Sequence, residues 1–416
     1  MCNPFFSWKK EKKLYLCSIT NDSYMKNILL ILCAPFLPLA ANSQALTETD
    51  ADETKTVLER VTGKEQSLSG HMNLLLNSMG SALFTDGELD RARFSINGVR
   101  MVIHGNFHEK FSYYFRQSYT RNFAPMETDN VSMALEQMIL GWKPNSTIAL
   151  EIGKQCMQLG GYEYWVAANR VRFYSDFNST MTSYQTGVNM AISPHPNHTV
   201  NLQFLNNRAS MEEDYYPFGL PEGKELTKAP FIGVLNYDGY LIDRALNLRY
   251  AVAAAPLTKG RPQVFVTAGN TWEKGPVLAY LDIMYAYEGI DTKGLISNLS
   301  ANRPEGGVTA QYASYLSTIA NFDYRIHAHW NLYLKGAYET TRVLRSNACY
   351  QKGLYTRTWS AQACAEYFPI KGEDFRVFLH LLYKRSGATH HARALGATDH
   401  DSQRISIGME YKIPVF

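Results

Sequence analysis

Ile405, Ile407, Met409, Tyr411 and Ile413 alternate with Arg404, Ser406, Gly408, Glu410 and Lys412 in the last segment of this chain. A repeat of two residues puts one set on each face of an extended strand and does not fit the 3.6-residue repeat of an amphipathic helix. The same texture recurs upstream. Phe111, Tyr113, Phe115 and Tyr119 alternate with Lys110, Ser112, Arg116 and Ser118. Trp330, Leu332, Leu334 and Tyr338 alternate with Asn331, Lys335 and Glu339, and Phe375, Val377, Leu379, Leu381 and Tyr383 with Arg376, His380 and Lys384. Between Arg93 and His104 the alternation changes phase at Gly98, as a bulge would make it do.

About sixteen such runs can be marked: 69–77, 92–104, 107–120, 131–142, 146–154, 181–193, 198–206, 230–238, 244–255, 262–271, 276–288, 311–325, 329–341, 354–368, 373–385 and 403–415. The run 131–142 also fits a helical pattern. Runs of about nine to fourteen residues are long for a soluble sandwich and match a tilted strand crossing a bilayer. Connections alternate between short (143–145, 194–197) and long (155–180, 207–229, 289–310, 386–402). Trp142, Trp272, Trp330, Tyr367 and Phe416 lie near the ends of runs, where interfacial aromatic girdles form. The only long apolar stretch, Ile28 to Ala41, is broken by Pro35 and Pro38 and is shorter than the roughly 20 residues of a spanning helix. A composition of 45% hydrophobic and 19% charged residues is what lipid-facing and lumen-facing positions average to. The expected fold is all-β: a transmembrane antiparallel β-barrel of about 16 strands, with barrel residues 68–416. Closure is required because hydrocarbon leaves an unpaired strand edge without partners.

Met25 to Ala45 carries a short basic start, an apolar stretch and a small-residue site at Ser43-Gln44-Ala45, and reads as a secretory signal peptide over 25–45. Residues 1–24 read as an upstream extension or an early start, and 46–67 as a periplasmic linker or short helix. The whole chain has 41 basic and 38 acidic residues. Removing 1–45 takes away Lys9, Lys10, Lys12, Lys13 and Lys26 with Glu11 and Asp22, leaving 36 of each sign. The net charge excludes a polybasic nucleic-acid binder. Cys156, Cys349 and Cys364 are too few for a disulfide framework; Cys349 and Cys364 are left as either a pair or free thiols.

Arg91 to Gly98 leading into the run from Phe107 to Tyr119, Leu150 to Gln155 opening a long segment, Ala328 to Tyr333, and Cys364 to Ile370 occur in that order. Over about 69–416 this series resembles the phosphate-selective porin O/P-type family, in its Bacteroidetes-type outer-membrane form. The resemblance implies a sixteen-stranded barrel in the Gram-negative outer membrane, a homotrimer, and long extracellular loops with one folded inward as a constriction. It implies passive or weakly selective diffusion of small hydrophilic, anionic or neutral solutes, with a preference for anions or phosphate, and no enzyme activity or cofactor. The partners it implies are outer-membrane lipid and lipopolysaccharide, and no nucleic acid. The terminal Phe416 matches the aromatic end of such barrels. No lysine cluster of the kind the family name promises can be matched here.

A pore selects by radius and by the sign of charge at its narrowest point. Alternation assigns Arg93, Arg100, Lys110, Arg116, Arg249, Arg325, Lys335, Arg376, Lys384, Arg404 and Lys412 to the lumen, against Glu151, Asp282, Glu288, Asp323, Glu339, Glu366 and Glu410. The basic excess favours anions; mixed charges neutralising one another across strands are the plainer reading. The constriction is expected in the segment after Glu151, with Lys154 at its start and Gly160-Gly161 permitting tight turns. Arg170 and Arg172, two apart, either enter the pore or latch the loop to the wall. An outer-membrane barrel enzyme and a loop-plugged structural or adhesive barrel are the competing functions; no G-x-S-x-G nucleophile motif occurs.

Overall fold

A computed structural model describes residues 70–124, 129–166, 170–211 and 213–416. The signal peptide 25–45, the upstream 1–24 and the linker 46–67 lie outside the described residues. Sixteen antiparallel strands close into one barrel, each paired with its sequence neighbours and β1 with β16. In chain order these are β1 Gly70–Thr85, β2 Glu88–His108, β3 Phe111–Ser118, β4 Leu135–Trp142, β5 Ile148–Cys156, β6 Tyr184–His195, β7 His198–Asn206 and β8 Phe231–Leu241. There follow β9 Leu246–Thr258, β10 Arg261–Lys274, β11 Val277–Ile290, β12 Gln311–His327, β13 Trp330–Val343, β14 Gly353–Tyr367, β15 Asp374–Ala388 and β16 His400–Pro414. No described helix is long and apolar enough to cross a membrane.

Every marked run became a strand, including 131–142, whose strand is Leu135–Trp142. β1 is longer than its run, continuing to Thr85 and turning at Asp86-Gly87. Both turn residues have positive φ (50° and 86°), the backbone of the tight hairpin turn that matches strand twist. The phase change near Gly98 is a register shift: Asn77 faces Gly98 while Ser78 faces Ile96, so Asn97 is the extra residue.

The apolar set faces outward. Along β16, Ile405, Ile407 and Met409 are exposed, whereas Ser406 and Glu410 are buried inside. This inverts a soluble core, as lipid requires. The lower aromatic girdle contains Trp142, Trp330 and Tyr367, the last two with ring centroids 4.8 Å apart. Short turns (109–110, 143–147, 196–197, 242–245, 275–276, 328–329 and 368–373) gather at the end where the barrel starts and finishes. The opposite end carries 119–134, 157–183, 207–230, 291–310, 344–352 and 389–399. Long loops mark the extracellular end. Cys156, Cys349 and Cys364 are free thiols, so Cys349 and Cys364 do not pair.

Candidate functional site

Residues 157–166, which leave β5, and 170–183 fold into the barrel, where the wall holds them at many points. The first contacts are made by backbone. The Gly160 amide donates to Thr267 Oγ1 on β10 at 2.7 Å, and the Gln158 amide to Gln203 Oε1 on β7 at 2.7 Å. A Cβ on Gly160 would meet the Arg249 carbonyl at 2.5 Å, and one on Gly269 the Gly161 Cα at 2.5 Å. The glycine pair therefore serves close approach to the wall, and Gly161 also adopts a φ of 94°.

Two one-turn helices follow, α1 Tyr162–Trp165 and α2 Asp176–Ser179. Their first amides have no partners within the helix, and carboxylates from the wall supply them. Asp282 on β11 accepts from Tyr162 N and Glu163 N, both at 2.8 Å. Glu339 on β13 accepts from Asp176 N and Phe177 N, both at 2.9 Å. Between the helices, buried Glu163 accepts from Ser175 Oγ and Asn178 Nδ2, each at 2.6 Å, and from Lys335 Nζ on β13 at 2.7 Å. Lys335 also donates to the Phe173 carbonyl, which Gln362 reaches at 3.2 Å.

The loop's deepest anchor is Arg172. It donates to Glu366 at 2.6 Å and Glu410 at 2.8 Å, and its guanidinium lies 3.9 Å from the Phe378 ring centroid. Glu366 is one residue from the end of β14 and Glu410 four from the end of β16, so the loop reaches the periplasmic third of the barrel. Burial alone would lower the proton affinity of Arg172, but Glu366 and Glu410 hold it above its ordinary value. Arg170 is exposed, facing Tyr162, whose phenol burial pushes up to about 12 against the pull of that guanidinium. One arginine of the pair is a latch; the other is open to the lumen.

Most other predicted residues also have partners. Arg100, Arg116 and Arg121 share the carboxylate of Glu136, which is 0% exposed, at 3.3, 2.5 and 3.1 Å. Arg116 also donates to the Tyr184 hydroxyl at 3.0 Å. Arg249 pairs with Asp238 and lies 4.1 Å from the Trp165 ring centroid, bracing the loop. Arg376 bonds Glu410 at 2.5 Å, beside the Arg172 latch. Glu151 accepts from Asn189 at 3.0 Å. Lys384 pairs with Asp176 at 2.5 Å.

Two assignments need correction. Lys154 is buried on Asp129 (3.1 Å) and the Ser132 carbonyl (3.3 Å), tying down residues 129–132 rather than facing a channel. Lys110 lies in the turn between β2 and β3, below the wall. Arg93 keeps the lumen side assigned to it: it lies opposite Ser81, which in turn faces the inward Ser406, while Phe94 beside it faces out.

Alternation alone missed Glu136. It shares its parity with Met138, Leu140 and Trp142, but Arg116 faces Gln137 while Gln117 faces Leu135. Glu136 is therefore the extra residue of a bulge. Its three arginines leave a net of two positive charges.

A closed antiparallel barrel of amphipathic strands, apolar outside and narrowed by an inward loop, defines an outer-membrane channel. The family model for phosphate-selective porin O and P matches residues 78–413, and the chain belongs to that family. Among solved structures it is similar to the outer membrane channel DcaP of Acinetobacter baumannii. The TM-score is 0.56 at 10% identity, covering 84% of this chain and 99% of that one. It is also similar to an anion-selective porin from Comamonas acidovorans, with a TM-score of 0.54 at 9% identity, covering 83% of this chain and 99% of that one. At these identities the likeness is one of fold. Comparison with curated proteins gave no match.

Proposed function

We propose that this porin is a passive channel with a modest preference for small anions over cations, working as a homotrimer in contact with outer-membrane lipid and lipopolysaccharide, after export by a cleaved signal peptide. The observation that carries the preference is the Arg100–Arg116–Arg121 cluster on a single buried carboxylate. Such a cluster keeps excess positive charge on one wall without the cost of isolated buried cations. Arg170 in the loop, Arg404 on β16, two strands from β2, and Arg325 on β12 across the barrel add to it; none of these three is in an ion pair among the described residues. The resulting field raises local anion concentration while the loop sets the radius. The name of the Comamonas protein, an anion-selective porin, agrees with this reading. Association is supported by the outer face of β2, where Phe94 is 91% and Ile96 66% exposed.

The test is a zero-current potential across a planar bilayer under a potassium chloride gradient, together with swelling of liposomes in sugars of increasing size. Anion-sign potentials and a sharp size limit are expected. A cation-sign potential would overturn the preference. The number of anchors on 157–183 favours one second reading, a loop-plugged barrel, which predicts neither current nor swelling.

A further inference from the structure

The outer wall of β13–β15 carries a graded series of side chains. Near mid-wall are Leu334 on β13 and Leu379 on β15, both exposed to the outside. One step toward the extracellular end, Tyr338 faces Trp359 across β13–β14, and Trp359 lies 4.9 Å from the Tyr383 ring centroid. This is the upper aromatic girdle, whose rings mark the boundary between hydrocarbon and headgroups. Directly above it come Arg342, Arg357 and Arg385. Arg357 faces Thr340 and Gly387, Arg342 faces Leu354, and Arg385 faces Trp359, so the three arginines step diagonally across three strands on the outward face. Diagonal neighbours of this kind are about 7–8 Å apart and within reach of long side chains.

The loop above completes the arrangement. The short helix α3, His390–Arg393, folds back over β14; Thr389 Oγ1 donates to the Leu354 carbonyl and the His391 ring stacks on Tyr355. Between the helix and the wall is a cavity of about 580 Å³ lined by Arg357, Gly387, His390, Arg393 and Asp399 among others. Two acids are present. Asp399 pairs with Arg393 at 3.0 Å, and Asp401 with half-exposed Arg385 at 3.8 Å. Arg342 and Arg357 have no acidic partner among the described residues. Open guanidinium groups just outside the hydrocarbon, above an aromatic girdle and beside a cleft, match the chemistry of a phosphorylated lipid headgroup.

We propose that this cleft binds the phosphate of an anionic glycolipid in the extracellular leaflet, with Arg357 and Arg393 in the cleft, Arg342 at its edge and the acyl chains lying along Trp359, Tyr338 and Leu334. The proposal rests on the membrane reading above and is independent of what the lumen conducts. A second copy of this chain is the competing occupant, but the row of like charges would face its own kind in an isologous contact.

The experiment uses the full-length protein in detergent, incubated with diphosphoryl lipid A or with its dephosphorylated form, and reads bound lipid by native mass spectrometry. Wild type is expected to retain the phosphorylated lipid at least tenfold more than the dephosphorylated one. The triple variant R342Q/R357Q/R393Q should lose at least tenfold, while R244Q, in a periplasmic turn, should not. Equal retention of both lipids, an undiminished triple variant, or an equal loss in R244Q would each overturn the site. Heat-modified gel mobility verifies that the triple variant is folded; if it is not, the single variant R357Q takes its place, with a threefold loss expected and no loss overturning the proposal. Single-channel conductance of the variants is recorded in parallel. A silent channel that still discriminates between the two lipids would refute the porin reading and leave the lipid site intact.

Discussion

Replacing Arg172 with glutamine tests how the inward loop is held. In the wild type two guanidinium groups, Arg172 and Arg376, meet two buried carboxylates, Glu366 and Glu410, with half-exposed Asp374 3.9 Å from Arg376 at the edge. The two arginines and two glutamates are nearly excluded from solvent. Removing one member of such a group leaves an uncompensated charge and costs about 3–5 kcal/mol. Loss of the contact with the Phe378 ring adds about 1 kcal/mol. Asp282, Glu339 and Lys335 still hold both short helices, so the cost falls on the segment around 170–175 rather than on the barrel. At 1.4 kcal/mol per factor of ten, the population with this segment released rises by roughly three to four orders of magnitude. Single channels of R172Q should therefore show larger, noisier conductance, and the zero-current potential should move toward cations because one carboxylate is left uncovered. R172K should recover the charge but not the two-pronged contact, giving intermediate noise. A folded R172Q whose conductance, noise and potential all match the wild type would refute the latch.

Further predictions follow from the other anchors. Lys335→Met strands Glu163 among its hydroxyl and amide partners and should cost about 3 kcal/mol, read as a lower unfolding temperature on heat-modified gels; no shift would contradict the buried pair. Asp282→Asn weakens the cap of α1 by about 1–2 kcal/mol and should speed proteolysis within 157–183 without changing barrel melting. Gly269→Val places side-chain atoms where the Gly161 backbone passes, so the loop must shift and single-channel conductance must change. In the loop 389–399, Asp399 is held below its ordinary carboxylate range by the Ala388 amide and by Arg393. A depressed folded value stabilises the loop at pH above the unfolded carboxylate range and loses that contribution as pH falls through the folded value. The protection of the Ala388 amide, taken relative to the intrinsic exchange rate at each pH, should accordingly be high at neutral pH and fall below about pH 4.

The strands were legible because lipid on one side and polar groups on the other impose a strict two-residue repeat, and even the phase change at Gly98 marks a true extra residue. Where a second bulge interrupts the repeat the reading failed. Glu136, absent from the acids that alternation assigns to the lumen, belongs with Arg100 and Arg116. Candidate pore residues were harder to sort, because alternation gives a face and not a neighbour. Lys154 and Arg172 are both basic and near the same loop, yet one ties down 129–132 and the other crosses the barrel to Glu366. The roles of Asp282 and Glu339 are set by backbone amides more than a hundred residues away in sequence, a pairing with no local signal.

Current through single molecules of the full-length protein in a planar bilayer tests the central claim, that a lumen narrowed but not sealed by residues 157–183 conducts small ions. Stable, ohmic steps that scale with bulk salt conductivity are predicted. Protein that inserts folded and stays silent would contradict it.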